Sequence, residues 1–391
     1  MSSSPSRILR KVANEPSARE SAPSCESASD AIRVMIVDDS LTVRTVLKRI
    51  VESDGAMEVI ATASSGERAI AQLGTTDVDV LLLDLEMPGM GGLEALPTIL
   101  STAPDLQVLV VSSLTDDGAE ATVQALSTGA ADTMLKPRPG GFNEDYRSQL
   151  LGKIRALGTK SDTPAANANA QVANQHAKPA ATPRVPQRPE LIAIGASTGG
   201  IHALNLMLRE LTPDFDLPIL ITQHLPSSFI PVFARQVEVA SGRPTHIADD
   251  GTEIRKGEIA IATGQGHMTV RRMGERLVAR TSNEPARSGC LPSVDPMLRS
   301  AADACNGRVH AIILSGMGRD GFDGVQHLRE LGGTVWTQDA ETSAVWGMPG
   351  AVTKAGLSDY VAAPPALGQA LMTQVSGTGG RAAASRENAA T

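Results

Sequence analysis

The stretch Arg33-Val34-Met35-Ile36-Val37-Asp38-Asp39 decides how the first half of the chain folds. It is a short apolar run that ends abruptly in two carboxylates, the pattern of a buried strand delivering charge to one edge of a parallel sheet. The pattern returns in Val80-Leu81-Leu82-Leu83-Asp84 and, with a hydroxyl at its end, in Gln107-Val108-Leu109-Val110-Val111-Ser112. Glu58–Ala63 is a further strand, and helical periodicity occupies Thr42–Ser53 and the residues after Glu67. Alternation of this kind predicts a parallel sheet with right-handed crossovers.

Open parallel sheets gather their functional groups at the carboxyl ends of the strands. Asp38, Asp39 and Asp84 would share one crevice, where three carboxylates repel one another unless a cation neutralises them. An all-oxygen site with open positions suits Mg²⁺. Ser112 and Lys136, the latter in a Lys136-Pro137 step, fit the same crevice as a hydroxyl donor and a fixed positive charge. Each acid alone reads as a helix cap. All five together read as a phosphoryl-transfer site with Asp84 as the carboxylate nucleophile. With Asp84-Leu85-Glu86-Met87-Pro88-Gly89, the set resembles the response-regulator receiver family over residues 32–155.

That resemblance implies a flavodoxin-like (βα)5 domain, phosphorylated on Asp84 by a histidine kinase. It makes Asp38 and Asp39 the metal-side acids, the main-chain carbonyl of Glu86 a further Mg²⁺ ligand, and Ser112 and Lys136 the switch pair. Met134 departs from the family pattern, which commonly has an aromatic there.

Outward from this block the composition changes twice. Residues 156–188 are Ala, Pro, Asn and Gln with almost nothing to bury, a linker of moderate stiffness. Residues 1–31 are rich in Ser, Pro and Ala and lack a continuous apolar core, so they read as a disordered leader rather than a signal peptide. Residues 376–391 read as a disordered tail. Between linker and tail, residues 189–375 form a second domain with strands at Leu191–Ile194, Pro218–Thr222, Glu258–Ala262, Val309–Leu314 and Thr334–Thr337. Met268–Arg280 reads as an antiparallel hairpin, so the expected fold is a doubly wound, mostly parallel α/β sheet made mixed by that hairpin.

Gly195-Ala196-Ser197-Thr198-Gly199 follows the strand Leu191–Ile194 and opens an apolar helix. A G-x-S-x-G turn in a strand–turn–helix context is what a nucleophile elbow requires. The same turn also suits a phosphate cradle or a simple serine cap, although no G-K-[ST] or G-x-G-x-x-G accompanies it. A serine nucleophile needs a base and the base an orienting acid. Among seven histidines, His224 directly follows the Pro218–Thr222 strand and so shares the sheet edge of Ser197. His176 lies in the linker, His202 points away along its helix, His310 sits at the wrong strand end, His327 lies within a helix, and His246 and His267 fall in poorly defined segments. For the acid, Asp320 in the glycine-rich loop Ser315-Gly316-Met317-Gly318-Arg319-Asp320 competes with Asp339 after the next strand. The order Ser, His, Asp is not that of α/β-hydrolases.

With Gln223-His224-Leu225-Pro226, Pro292–Leu298 and Gly347-Met348-Pro349, these motifs resemble the chemotaxis protein-glutamate methylesterase family. The resemblance implies Ser197 as nucleophile, His224 as general base and Asp320 as its partner, with backbone amides near Thr198 and Met317 as oxyanion donors and no cofactor for the esterase. It implies chemoreceptor glutamate γ-methyl esters as substrate, methanol as product, and deamidation of receptor glutamines as a second activity. The competing class is a non-catalytic receptor-binding adaptor.

A net charge of −8 argues against a nucleic-acid output, and no basic helix-turn-helix follows the linker. No apolar run approaches the roughly 20 residues of a membrane span. The three cysteines form no CxxC pair and suggest a reduced compartment. A cytoplasmic monomer without membrane insertion is therefore expected.

Overall fold

Valine- and leucine-rich runs become strands wherever both of their faces can be covered by helices. The computed structural model describes residues 31–113, 115–137, 141–159 and 188–374. Except at their margins, the expected leader, linker and tail lie outside the described residues, as do His176 and Cys25. The first domain runs β1 (Ile32–Val37), α1 (Leu41–Val51), β2 (Met57–Ala63), α2 (Gly66–Leu73), β3 (Val80–Asp84), α3 (Gly92–Thr102), β4 (Gln107–Ser112), α4 (Asp116–Thr128), β5 (Asp132–Leu135) and α5 (Glu144–Gly158). The strand order is 2-1-3-4-5, all parallel, which is the flavodoxin-like arrangement.

Strand alternation divides the core. Val34, Ile36, Leu82 and Leu109 pack with Leu47, Leu150 and Ile154 of α1 and α5. Met35, Val37, Leu81, Leu83, Val108 and Val110 face the other layer, with Leu96, Ile99 and Val123 of α3 and α4. Helix α5 continues to Gly158, three residues into the stretch expected as linker, because Leu157 still has a core to enter.

The second domain contains β6 (Leu191–Ala196), α6 (Gly200–Leu208), β7 (Ile219–Gln223), α7 (Ile230–Ser241), β8 (Thr245–Ala248), β9 (Glu253–Ile254), β10 (Ile259–Ala262), β11 (His267–Met273), β12 (Arg276–Ser282), α8 (Val294–Ala304), β13 (Val309–Ile313), α9 (Phe322–Glu330), β14 (Thr334–Gln338), α10 (Met348–Lys354) and β15 (Tyr360–Ala362). Seven strands form one sheet in the order 15-14-13-6-7-10-8, and every pairing in it is parallel. The predicted hairpin exists as β11–β12, but it does not make this sheet mixed. It pairs with β9 in a separate three-stranded sheet, where its apolar face, including Met268, Val270 and Leu277, packs with Met297, Leu298 and Ala301 of α8.

The two domains share apolar core. Leu126 and Val123 of α4 belong to the same buried cluster as Ile201 and Leu204 of α6 and Phe229, Ile230 and Phe233 at the start of α7.

Candidate active site

Strands β6, β7 and β13 lie side by side, so the loops that leave their carboxyl ends meet. Ser197, His224 and Asp320 come from those three loops. His224 Nδ1 lies 3.1 Å from Ser197 Oγ, and His224 Nε2 lies 2.8 Å from Asp320 Oδ2. The imidazole can therefore donate Nε2–H to the carboxylate and accept the serine proton at Nδ1, which is the wiring a serine nucleophile needs. Asp339, the rival acid, accepts from the amide and hydroxyl of Thr342 instead.

Asp320 is buried, yet its hydrogen bonds favour the charged form. Burial would raise its pKa, but His224, the Ser293 hydroxyl (2.6 Å) and the Val294 amide (2.7 Å) bring it down to about 2. Burial likewise pushes the His224 imidazole down, but Asp320 and the nearby Cys290 thiol outweigh it and raise the pKa to about 9.

The elbow is clamped from both sides. Gln223 Nε2 donates to Ser197 O at 2.9 Å, Ser315 Oγ donates to Thr198 O at 2.7 Å, and the Ser197 amide donates to Ser315 O at 3.0 Å. Gly199 takes a φ of 76°, and a Cβ there would lie 2.6 Å from that of Ala344, so no other residue type suits the turn. A Cβ at Gly316 would stand 2.8 Å from that of Ser197, which places the following residue, Met317, beside the serine. Among the described residues neither the Thr198 nor the Met317 amide donates to another group of the chain. Both stay available to an oxyanion.

In the first domain Lys136 Nζ lies 2.5 Å from Asp84 Oδ2 and 3.1 Å from Asp38 Oδ2. Burial raises the Asp84 pKa to about 6, against the pull of Lys136. Carboxylate oxygens of Asp38, Asp39 and Asp84 all lie within 4.8 Å of one another. The Ser112 hydroxyl is buried nearby at the end of β4 with no hydrogen-bond partner among the described residues. An orphaned donor beside converging acids fits a site that takes a cation and a phosphoryl group. Glu86 turns its amide to Asp84 Oδ1 at 3.2 Å and accepts the Ser113 hydroxyl on its side chain.

The amino end of β5 and the carboxyl end of α4 sit over the serine. The Ala131 carbonyl accepts the Gly199 amide at 2.5 Å, and Asp132 Oδ2 accepts the Thr198 hydroxyl at 2.5 Å while paired to Lys153. Ser127 lies against His202, Asn205 and Gln236 of the second domain. The space left between Leu126, Ala131, Asp132, Ser197 and His224 is ≈ 10 Å³, room for one water and no substrate.

Residues 192–371 match the CheB methylesterase family, and residues 34–141 match the response regulator receiver domain. The protein-glutamate methylesterase/protein-glutamine glutaminase 2 of Caulobacter vibrioides is 43% identical, the match covering 84% of this chain and 95% of that one. The protein-glutamate methylesterase/protein-glutamine glutaminase 1 of Paramagnetospirillum magneticum is 40% identical over 88% and 96% of the two chains. Among solved structures, the Thermotoga maritima CheB methylesterase catalytic domain matches at 31% identity and a TM-score of 0.46, covering 47% of this chain and 98% of that one. The chain belongs to the CheB methylesterase family.

Within this methylesterase frame the structure adds residues that strand-end logic did not find. His267, which no periodic segment frames in the sequence, opens β11, is buried, and accepts the Ser293 amide on Nδ1 at 2.9 Å. Ser293 in turn holds Asp320, so a chain of contacts runs from His267 to Ser197. The cap pattern Ser293-Val294-Asp295 at the head of α8 was the available signal. Gln223 and Ser315 carried none, because their work depends on backbone positions that only the folded sheet brings close.

Proposed function

We propose that this chain is a receiver-controlled protein-glutamate methylesterase, with Ser197 as nucleophile, His224 as base and Asp320 as its positioning acid. The observation that carries the reading is the continuous contact Ser197–His224–Asp320 at adjacent strand ends. The substrate is a glutamate γ-methyl ester on cytoplasmic chemoreceptor segments. Ser197 Oγ attacks the γ-carbonyl as its proton passes to His224 Nδ1. The oxyanion rests on the Thr198 and Met317 amides, and His224 returns the proton to the departing methoxide, which leaves as methanol. Water then attacks the acyl-enzyme, with His224 again taking the proton, and frees the glutamate carboxyl. A receptor glutamine would follow the same path and release ammonia.

The receiver supplies control. Asp84 would accept a phosphoryl group from a histidine kinase; Asp38, Asp39, Asp84 and the Glu86 carbonyl would hold the Mg²⁺ that this chemistry uses. When bound, that ion neutralises the acid cluster and the incoming phosphoryl oxygens. Ser112 and Lys136 then close on the phosphoryl group. Helix α4 starts just after the Ser112 loop and ends at Thr128, roughly 20 Å away at 1.5 Å per residue, with Ser127 in its last turn against the esterase. It is the element through which phosphorylation can loosen the cover. The chain acts in the cytoplasm, as a monomer; no helix among the described residues is long and apolar enough to cross a membrane.

Asp132→Ala should raise the unphosphorylated rate roughly 10- to 100-fold, since a hydrogen bond to a charged group contributes about 1.5–3 kcal/mol to holding the cover closed. Full-chain demethylation without phosphodonor measures this, and an unchanged rate would remove Asp132 from the latch. The adaptor reading is tested by methanol release from methylated receptor: the enzyme reading expects release by wild type and Cys290→Ala and none by Ser197→Ala.

A further inference from the structure

One nucleophilic side chain near the triad has no part in the esterase steps. Cys290 lies in the loop between β12 and α8, half-buried, in a stretch whose residues Asn283–Pro285 and Arg287–Gly289 are exposed. A ring nitrogen of His224, the Cys290 sulfur and a carboxylate oxygen of Asp320 all lie within 4.8 Å of one another. We infer that these three side chains form a binding site for a borderline-soft divalent cation such as Zn²⁺, whose occupancy locks the esterase off.

The donor set decides the class of metal. One imidazole nitrogen, one thiolate and one carboxylate oxygen, with a fourth position left for water, match the tetrahedral preferences of Zn²⁺. Mg²⁺ and Ca²⁺ prefer all-oxygen sites such as the receiver acids. The ligands are also held in place. Asp320 is fixed by the Ser293 hydroxyl and the Val294 amide, and Ser293 itself is fixed by His267. The cysteine loop is tied to the same point, since the Cys290 amide donates to Ser288 Oγ, which lies 3.3 Å from Ser293 Oγ. Outer contacts of this type orient metal ligands and strengthen their binding. The exposed neighbours of Cys290 give the ion a path from solvent.

Binding would exchange protons for metal: the Cys290 thiol proton passes to solvent, and the His224 proton moves from the nitrogen facing Asp320 to Nδ1 as Zn²⁺ takes its place. Tetrahedral bonds of about 2.0–2.3 Å require the 2.8 Å His224–Asp320 contact to open by a few tenths of an ångström. The imidazole so held no longer has the carboxylate as its proton-sharing partner, and its lone pair is committed to the ion. The loss of activity rests on the esterase reading; the metal binding does not.

The test uses the full chain titrated with Co²⁺, whose bond to a thiolate gives a near-ultraviolet charge-transfer band. Wild type and Ser197→Ala should both show the band, Zn²⁺ should displace it, and Cys290→Ala should lack it. In parallel, Zn²⁺ should lower methanol release from methylated receptor at least tenfold in wild type. In Cys290→Ala, compared with its own zinc-free rate, the half-inhibiting concentration should rise by at least the roughly 10–100-fold that losing an outer partner already costs. A wild type without the band, or a Cys290→Ala chain that keeps either the band or full zinc sensitivity, overturns the site. Because Ser197→Ala retains all three ligands, its band reports on the site even if the esterase reading fails.

Discussion

Ser197→Ala should lower methanol release from methylated receptor by roughly 10,000-fold or more, the scale on which serine hydrolases lose activity with their nucleophile. The loss belongs to the chemistry and not to folding. Among the described residues the serine hydroxyl bonds only to His224 Nδ1, while the amide and carbonyl of residue 197, which hold the elbow to Ser315 and Gln223, are unchanged by the substitution. The thermal midpoint should therefore stay near that of wild type. A variant that retained more than a tenth of wild-type release would remove Ser197 from the reaction.

Asp320→Asn should produce the second large effect, about a 1,000- to 10,000-fold fall in the rate at neutral pH, by misorienting the imidazole and withdrawing the charge that stabilises its protonated form. It also carries a sign that a merely structural residue would not. His224 works as a base only when neutral, and its pKa is raised to about 9 despite burial, chiefly by Asp320. The wild-type rate should climb with pH toward that value. Removing the carboxylate lets burial dominate, so the residual activity of Asp320→Asn should reach its plateau at a lower pH. A pH profile of the variant that lay at or above that of wild type would contradict the role given to Asp320.

Much of the fold is legible along the chain because parallel strands covered on both faces are apolar throughout. Ile32–Val37, Val80–Asp84 and Leu191–Ala196 therefore announce themselves. The hairpin at His267–Ser282 was legible as a hairpin, but its placement was not. Its pairing with Glu253–Ile254 depends on a two-residue strand too short to leave a periodic signal. The contact Ser197–His224–Asp320 was legible for the same reason as the sheet, since each residue lies in a loop that follows a strand. Asp132 was not legible. It begins a strand and so belongs to the amino edge of its own sheet, and only docking of the two domains brings it to Thr198. His267 and Ser293 act one and two contacts behind the acid, a distance across which strand-end reasoning does not reach.

The geometry divides the labour between two ends of α4. The Asp38, Asp84 and Lys136 cluster sits at the carboxyl edge of the receiver sheet, whereas the cover on Ser197 is made by the opposite edge. Direct charge repulsion from a phosphoryl group on Asp84 would be screened over such a span. In the proposed function, movement of α4 together with the Ala131–Asp132 edge therefore carries the signal.

Methanol release from methylated receptor by a chain lacking residues 1–158, set beside the unphosphorylated full chain, measures that arrangement most directly. An esterase covered by its receiver predicts faster release by the truncated chain, still abolished by Ser197→Ala. Release no faster than that of the unphosphorylated full chain would contradict it.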